Sequence, residues 1–88
     1  MPDYETFVFT TEFTESLTKL SPADQRRVFA ALRQLDTDEK TSSLQVHQLK
    51  GQQAGTWTAY ATKKLRITFE RLEDGRKRLL EANQHYGD

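Results

Sequence analysis

After a short strand-like run, the first half of the chain repeats its apolar residues at helical spacing. Phe7-Val8-Phe9 is rich in strand-forming residues and predicts a first strand. The apolar residues beyond it recur every three or four positions, which predicts one helix from about Thr11 to Leu20 and a second from about Pro22 to Leu35. Ser21 is a capping residue directly before the proline that begins the second helix. Because the connection is so short, the two helices are expected to form a hairpin.

The second half changes from helical spacing to the alternating pattern of strands. Residues 36–43 have no apolar side chain and predict a loop. Four strands are predicted after this loop, over residues 44–49, 56–61, 65–70 and 78–82. The third of them alternates most clearly, with Leu65, Ile67 and Phe69 directed toward the core. Glu73-Asp74-Gly75 predicts the hairpin turn before the last strand.

These elements predict an α+β domain of order β-α-α-β-β-β-β, formed by residues 1–88. We expect the N-terminal strand and the helical hairpin to pack on a four- to five-stranded antiparallel sheet. Since the helices cover one face of the sheet, the opposite face meets solvent, and it carries Arg66, Thr68 and Glu70. This face is either an ordinary solvated surface with a weak ion pair or a binding surface.

The composition narrows the class of protein. The chain has no cysteine, which excludes disulfides, thiolate metal sites and cysteine nucleophiles. The sequence shows no apolar run long enough to span a membrane and no secretory pattern at its start, so we expect a cytoplasmic protein without a membrane partner. Its two histidines lack metal-binding spacing, and the sequence has no glycine-rich phosphate loop, so no metal or cofactor is expected.

Charge is distributed unevenly although the net charge is zero. Residues 1–43 carry five basic and eight acidic side chains, a balance of −3, and residues 44–88 carry eight and five, a balance of +3. A basic second half is compatible with a phosphate-bearing partner, and it is equally compatible with ordinary solvated charge.

Short motifs of the second half follow one another in a fixed order. They are Ser43-Leu44, His47-Gln48-Leu49-Lys50-Gly51, Gly55-Thr56-Trp57, Leu65-Arg66-Ile67-Thr68-Phe69 and His85-Tyr86. Together with the β-α-α segment before them, they resemble the RelE/ParE superfamily of bacterial toxins, in particular its RelE, YoeB and HigB branches. The resemblance covers nearly the whole chain and implies a single RelE-like toxin domain.

The resemblance implies an endoribonuclease that cleaves messenger RNA, usually at the ribosome, and that is neutralised by a cognate antitoxin. The implied chemistry is metal-independent attack of a ribose 2′-OH on the adjacent phosphate, which needs a base, a cation and an acid. Antitoxin segments of this class fold across apolar positions such as those of the helical hairpin. Without its antitoxin the chain is expected to be a monomer or a weak dimer. Two alternatives share the fold: a ParE-like toxin that binds DNA gyrase without enzymatic activity, and a non-toxic interaction module.

The resemblance also implies catalytic residues. Arg66 matches the family's strand arginine, and its guanidinium suits a phosphate group. His85 and Tyr86 resemble the terminal His-Tyr pair of YoeB-like members; an imidazole can serve as acid or base at physiological pH, and a tyrosine can stack on a nucleobase. The alternative for this pair is a frayed tail without function. Glu70 is a weaker candidate for the base, because it does not match the position of the family's acidic residue.

Further residues are candidates for RNA contacts. Lys50 precedes a turn glycine where related toxins carry basic residues, and Lys63 and Lys64 lie in a predicted connection between strands. His47 is the remaining candidate. The alternatives are solvated lysines and, for His47, a structural residue packed beside Leu49. The chain departs from ribosome-dependent relatives in being neutral rather than strongly basic.

Overall fold

Two helices lie on one face of a five-stranded sheet in residues 6–51 and 55–84, the part of the chain that the computed structural model describes. The chain order is β1 (Phe7–Phe9), α1 (Thr11–Thr18), α2 (Pro22–Thr37), a 3₁₀ helix (Ser42–Leu44), β2 (His47–Gln48), β3 (Thr56–Tyr60), β4 (Leu65–Arg71) and β5 (Lys77–Gln84). The predicted α+β class and the order of its elements are confirmed. No helix in the described ranges is long and apolar enough to cross a membrane.

Side-chain caps begin both helices. Thr10 accepts a hydrogen bond from the Phe13 backbone N–H at 3.0 Å, and Ser21 accepts one from the Asp24 N–H at 3.1 Å. These bonds satisfy N–H groups that have no partner within the first turn of a helix. The apolar stripe of α2 is buried against the sheet and consists of Val28, Ala31, Leu32 and Leu35.

The strands lie in the order β1-β5-β4-β3-β2. All neighbouring pairs are antiparallel except β1 and β5, which are parallel, with Phe9 opposite Leu79. The expectation of a wholly antiparallel sheet is therefore corrected to a mixed sheet. A parallel pair needs a crossover connection, and here the whole chain between the first and last strands supplies it.

The alternation in β4 divides the sheet into a core face and an open face. Leu65, Ile67 and Phe69 are at most 1% exposed, whereas Arg66 and Thr68 are only half-buried on the opposite face. The predicted inward and outward positions of this strand are confirmed. The open face is therefore the surface on which polar side chains of neighbouring strands meet.

Two segments differ most from the predicted boundaries, while α1 ends two residues earlier than predicted, at Thr18, and α2 ends two residues later, at Thr37. The strand expected over residues 44–49 shortens to His47–Gln48, because Ser42–Leu44 forms a 3₁₀ helix that buries Leu44. Gln45 follows this helix with a left-handed φ of 45°, a conformation that a regular strand does not contain. The last strand is longer than expected and runs from Lys77 to Gln84.

Candidate functional site

Two neighbouring rows of side chains cross the open face of the sheet. The first row consists of Tyr60, Arg66 and Asn83, and the second of His47, Thr58, Thr68 and Glu81. Directly opposite residues on adjacent strands point to the same face and lie within contact distance. The pairing of β2, β3, β4 and β5 therefore brings into one surface residues that are far apart in the sequence.

Arg66 packs on the aromatic ring of Tyr60. Its guanidinium carbon lies 4.5 Å from the ring centroid, within the range of a cation–π interaction. The Arg66 side chain forms no ion pair with any described residue. It therefore presents a positive charge on the open face that no carboxylate of the described residues pairs with.

Two buried polar atoms of this face have no hydrogen-bond partner among the described residues. They are Nε of Arg66 and Oγ1 of Thr58, and Thr58 as a whole is only 1% exposed. Leaving a buried donor without a partner costs free energy. Nε is inaccessible, whereas Arg66 as a whole is half-buried. A ligand on the open face would therefore contact atoms of this side chain other than Nε.

His47 lies on the same face and contacts the same aromatic ring. Its ring centroid is 6.2 Å from that of Tyr60, with an angle of 73° between the planes. Nδ1 of His47 lies 2.7 Å from the backbone oxygen of Gln45. A carbonyl oxygen only accepts, so in the neutral imidazole the proton is on Nδ1 and Nε2 carries the free lone pair. His47 as a whole is exposed on the open face.

The three candidate lysines divide between two ends of the sheet. Lys63 and Lys64 are exposed in the connection between β3 and β4, which is closed by a 2.8 Å hydrogen bond from Ala61 N–H to the Leu65 carbonyl. This is the end at which Tyr60 and Arg66 lie. Lys50 is also exposed, but it follows the strand that pairs with the start of β3. Along the strand direction it is therefore separated from Arg66 by about 13 Å, the length of β3.

The expected catalytic residues His85 and Tyr86 lie outside the described residues. The described part of β5 ends at Gln84, which pairs with Leu65, the neighbour of Arg66. The role of this pair thus stays a prediction from the sequence.

Glu70 forms no ion pair with Arg66, although both of these described residues lie on the open face. Its carboxylate pairs with Arg78 on β5 at 3.1 Å, at the far end of the sheet from Tyr60. The arrangement does not support Glu70 as the base. Within residues 6–51 and 55–84, no group of three or more side chains is arranged to hold a metal ion.

Sequence reasoning missed Tyr60, the residue that contacts both Arg66 and His47. A signal for it was present in the short connection between β3 and β4. If Ala61 pairs with Leu65 across that connection, then Tyr60 must lie opposite Arg66. Counting outward from the turn would have found this contact.

Solved structures of similar fold were found, whereas no family model and no curated protein matches this sequence. The YoeB/ParE toxin from Agrobacterium tumefaciens is 16% identical with a TM-score of 0.72, over 92% of this chain and 99% of that chain. YafQ from E. coli strain BL21(DE3) is 12% identical with a TM-score of 0.74, over 89% and 90% of the two chains. A chain of the toxin–antitoxin complex RelBE2 from Mycobacterium tuberculosis is 23% identical with a TM-score of 0.63, over 91% and 96%.

These likenesses extend over nearly the full length of each chain. The protein therefore has the fold that the YoeB/ParE toxin and YafQ share. The fold expected from the motifs of the second half is confirmed.

Proposed function

We propose that this protein is the toxin of a toxin–antitoxin pair and that it is a metal-independent endoribonuclease cleaving messenger RNA. The observation that carries the proposal is the meeting of Arg66 and His47 at the ring of Tyr60 on the open face. A cation and an imidazole on one accessible surface are the groups needed for cleavage next to a 2′-OH. The shared fold supports the class of protein.

In the proposed reaction, Nε2 of His47 takes the proton of the 2′-OH, and the 2′-oxygen forms a bond to the adjacent phosphorus. The bond from phosphorus to the 5′-oxygen breaks, and an acid protonates this leaving oxygen. The products are a 2′,3′-cyclic phosphate and a 5′-OH. Arg66 stabilises the negative charge that grows on the phosphate. His85, the second imidazole of the chain, is proposed as the acid, and Tyr86 as a residue that orients the nucleotide.

The proposed partners are messenger RNA, the ribosome and a cognate antitoxin in the cytoplasm. Lys63 and Lys64 flank the Arg66 end of the open face and are proposed to contact RNA phosphates. Lys50, at the other end, is proposed as a more distant contact. An antitoxin partner is supported by similar structures named as the toxin–antitoxin complexes RelBE2 and DinJ–YafQ, and by one named as a YoeB–YefM complex.

Controlled expression in a bacterium tests the proposal. The wild-type chain is expected to stop growth and to shorten messenger RNA, and Arg66→Ala and His47→Ala are each expected to relieve both effects. Arg33→Ala is a matched control, because it removes an exposed guanidinium from α2, on the other side of the sheet. It is expected to remain toxic.

Two outcomes would contradict the proposal. Arrested growth with intact messenger RNA and an induced DNA-damage response would favour the gyrase-binding alternative. Unchanged growth would favour an interaction module of the same fold.

A further inference from the structure

Tyr60 is in contact with both groups to which the proposed function assigns chemistry. Its ring centroid is 4.5 Å from the guanidinium carbon of Arg66 and 6.2 Å from the ring centroid of His47. Tyr60 lies directly opposite Arg66 in the pairing of β3 with β4. A single ring on the sheet is therefore the shared contact of the cation and the imidazole.

The contacts are made by the aromatic ring and not by the hydroxyl group. The Tyr60 hydroxyl forms no hydrogen bond with any described residue, and the tyrosine itself is half-buried. The ring face attracts a guanidinium through its quadrupole, and a phenylalanine ring retains this property. Removal of the hydroxyl should thus leave the Arg66 guanidinium in place, whereas removal of the ring should release it.

Arg66 needs such a support because its long side chain has no other anchor among the described residues. Within residues 6–51 and 55–84, its buried Nε has no hydrogen-bond partner, and no carboxylate pairs with the guanidinium. Without a supporting surface, an arginine side chain samples many rotamers, and ordering it on binding a ligand costs conformational entropy. Packing on the ring restricts the guanidinium before the ligand arrives.

We propose that Tyr60 is a positioning residue, whose ring fixes the Arg66 guanidinium and its spacing from His47. The inference rests on the proposed function for its role in cleavage, but the positioning itself is measurable without catalysis. Tyr60 acts through Arg66 and takes no part in proton transfer. Its effect on cleavage must therefore depend on the presence of Arg66.

The positioning is tested by NMR on the isolated protein. In the wild type and in Tyr60→Phe, the Nε–H of Arg66 is expected to give a distinct resonance with slow exchange with water. In Tyr60→Ile, which keeps a strand-forming residue, exchange is expected to accelerate about 5- to 30-fold, the loss that corresponds to one cation–π contact. An unchanged Arg66 resonance in a folded Tyr60→Ile protein would overturn the inference, whatever the activity.

A double-mutant cycle tests the consequence for cleavage. Tyr60→Ile is expected to lower the single-turnover rate on RNA by about 5- to 30-fold, while Tyr60→Phe stays close to the wild type. In the Arg66→Ala background, Tyr60→Ile is expected to have a much smaller effect, limited to its contact with His47. Equal losses with and without Arg66 would show that Tyr60 acts independently and would overturn the inference.

The two proposals fail in distinguishable ways. If the wild type cleaves no RNA while the Arg66 resonance responds to loss of the ring, the proposed function fails and the positioning stands. Circular dichroism establishes that each variant is folded. If Tyr60→Ile does not fold, Tyr60→Val is used for the same two measurements, with the same expected results.

Discussion

The hydroxyl oxygen of Ser16 accepts a hydrogen bond from the backbone N–H of Ala82 at 2.9 Å. This contact lies where β1 has already ended, because its last pair with β5 joins Phe9 to Leu79. Beyond Leu79, β1 no longer pairs with β5, and a side chain of α1 accepts the hydrogen bond from the β5 backbone instead. The Ser16 hydroxyl also donates to the Phe13 carbonyl at 2.7 Å, so its orientation is fixed.

Replacing Ser16 with alanine is expected to destabilise the fold. The buried N–H of Ala82 would lose its acceptor, which costs about 1–3 kcal/mol. Urea denaturation measures this loss. Thr18→Ala is the matched control, because Thr18 makes a similar bond to the Glu15 carbonyl but is exposed, and we expect a change within about 0.5 kcal/mol. Equal effects of the two substitutions would contradict the role assigned to Ser16.

Glu39 makes the free energy of unfolding depend on pH in the acidic range. It lies 3.0 Å from Arg71 and 3.7 Å from the buried Lys77. The hydrogen bond from Arg71, helped by the charge of Lys77, holds the pKa of Glu39 below its ordinary value of 4.5. A lowered pKa means that the stabilisation is complete above 4.5 and is lost as the pH falls through the lower, folded-state pKa.

Glu39→Gln is therefore expected to lower the free energy of unfolding at pH 7 by about 1–2 kcal/mol, because Lys77 and Arg71 lose their anion. Its stability should also fall less than that of the wild type on acidification from pH ~5. Urea titrations across this pH range measure both. Glu70→Gln is the control, since the Glu70–Arg78 pair is exposed and such pairs contribute little. The prediction fails if the two variants have the same pH dependence.

The lysines at the two ends of the sheet are expected to differ in their contribution to RNA binding. Lys63→Ala combined with Lys64→Ala should weaken binding of a 2′-O-methyl RNA, which the protein cannot cleave. It should also reduce the slope of log affinity against log salt by about 1.4, the loss of two phosphate contacts. Lys50→Ala should have a smaller effect, because Lys50 lies at the far end from Arg66. Fluorescence anisotropy at several salt concentrations makes the comparison. A larger loss for Lys50→Ala would contradict the placement of the RNA.

Thr58→Val is expected to leave the fold as stable or to stabilise it by up to about 1 kcal/mol. The Thr58 hydroxyl is buried without a partner among the described residues, and valine has the same shape without the unsatisfied group. Both residues favour strands. Thermal unfolding measures the change. A clear loss of stability would show that the hydroxyl has a partner in solution.

Local patterns were sufficient to predict most of the fold. The helix cap at Ser21 and the alternation from Leu65 to Phe69 each involve residues close in sequence. The start of α2 and the two faces of β4 can therefore be inferred from the sequence. The parallel pairing of β1 with β5 joins the two ends of the chain and leaves no local signal. The left-handed residue Gln45 is equally unpredictable, because a glutamine rarely adopts this conformation.

The candidate site was predictable in its parts but not in its assembly. Arg66 was found from its strand motif, and the structure places it on the open face, as expected. The importance of His47 depends on the register of β2 with β3, which the sequence does not specify for so short a strand. The sequence pattern identifies Tyr60 only as a strand residue, and its contacts with Arg66 and His47 are found once the strands are paired.

Analysis of RNA ends after cleavage tests the central claim most directly. Purified wild-type protein is incubated with free RNA in the presence of a metal chelator, and separately with RNA bound to ribosomes in a magnesium buffer, and the new ends are identified by mass spectrometry. We expect fragments with 2′,3′-cyclic phosphate and 5′-OH ends, and a loss of about 10²–10⁴-fold in rate for His47→Ala and of similar order for Arg66→Ala. Intact RNA in both settings, or wild-type rates in both variants, would contradict the proposal that Arg66 and His47 form a ribonuclease site.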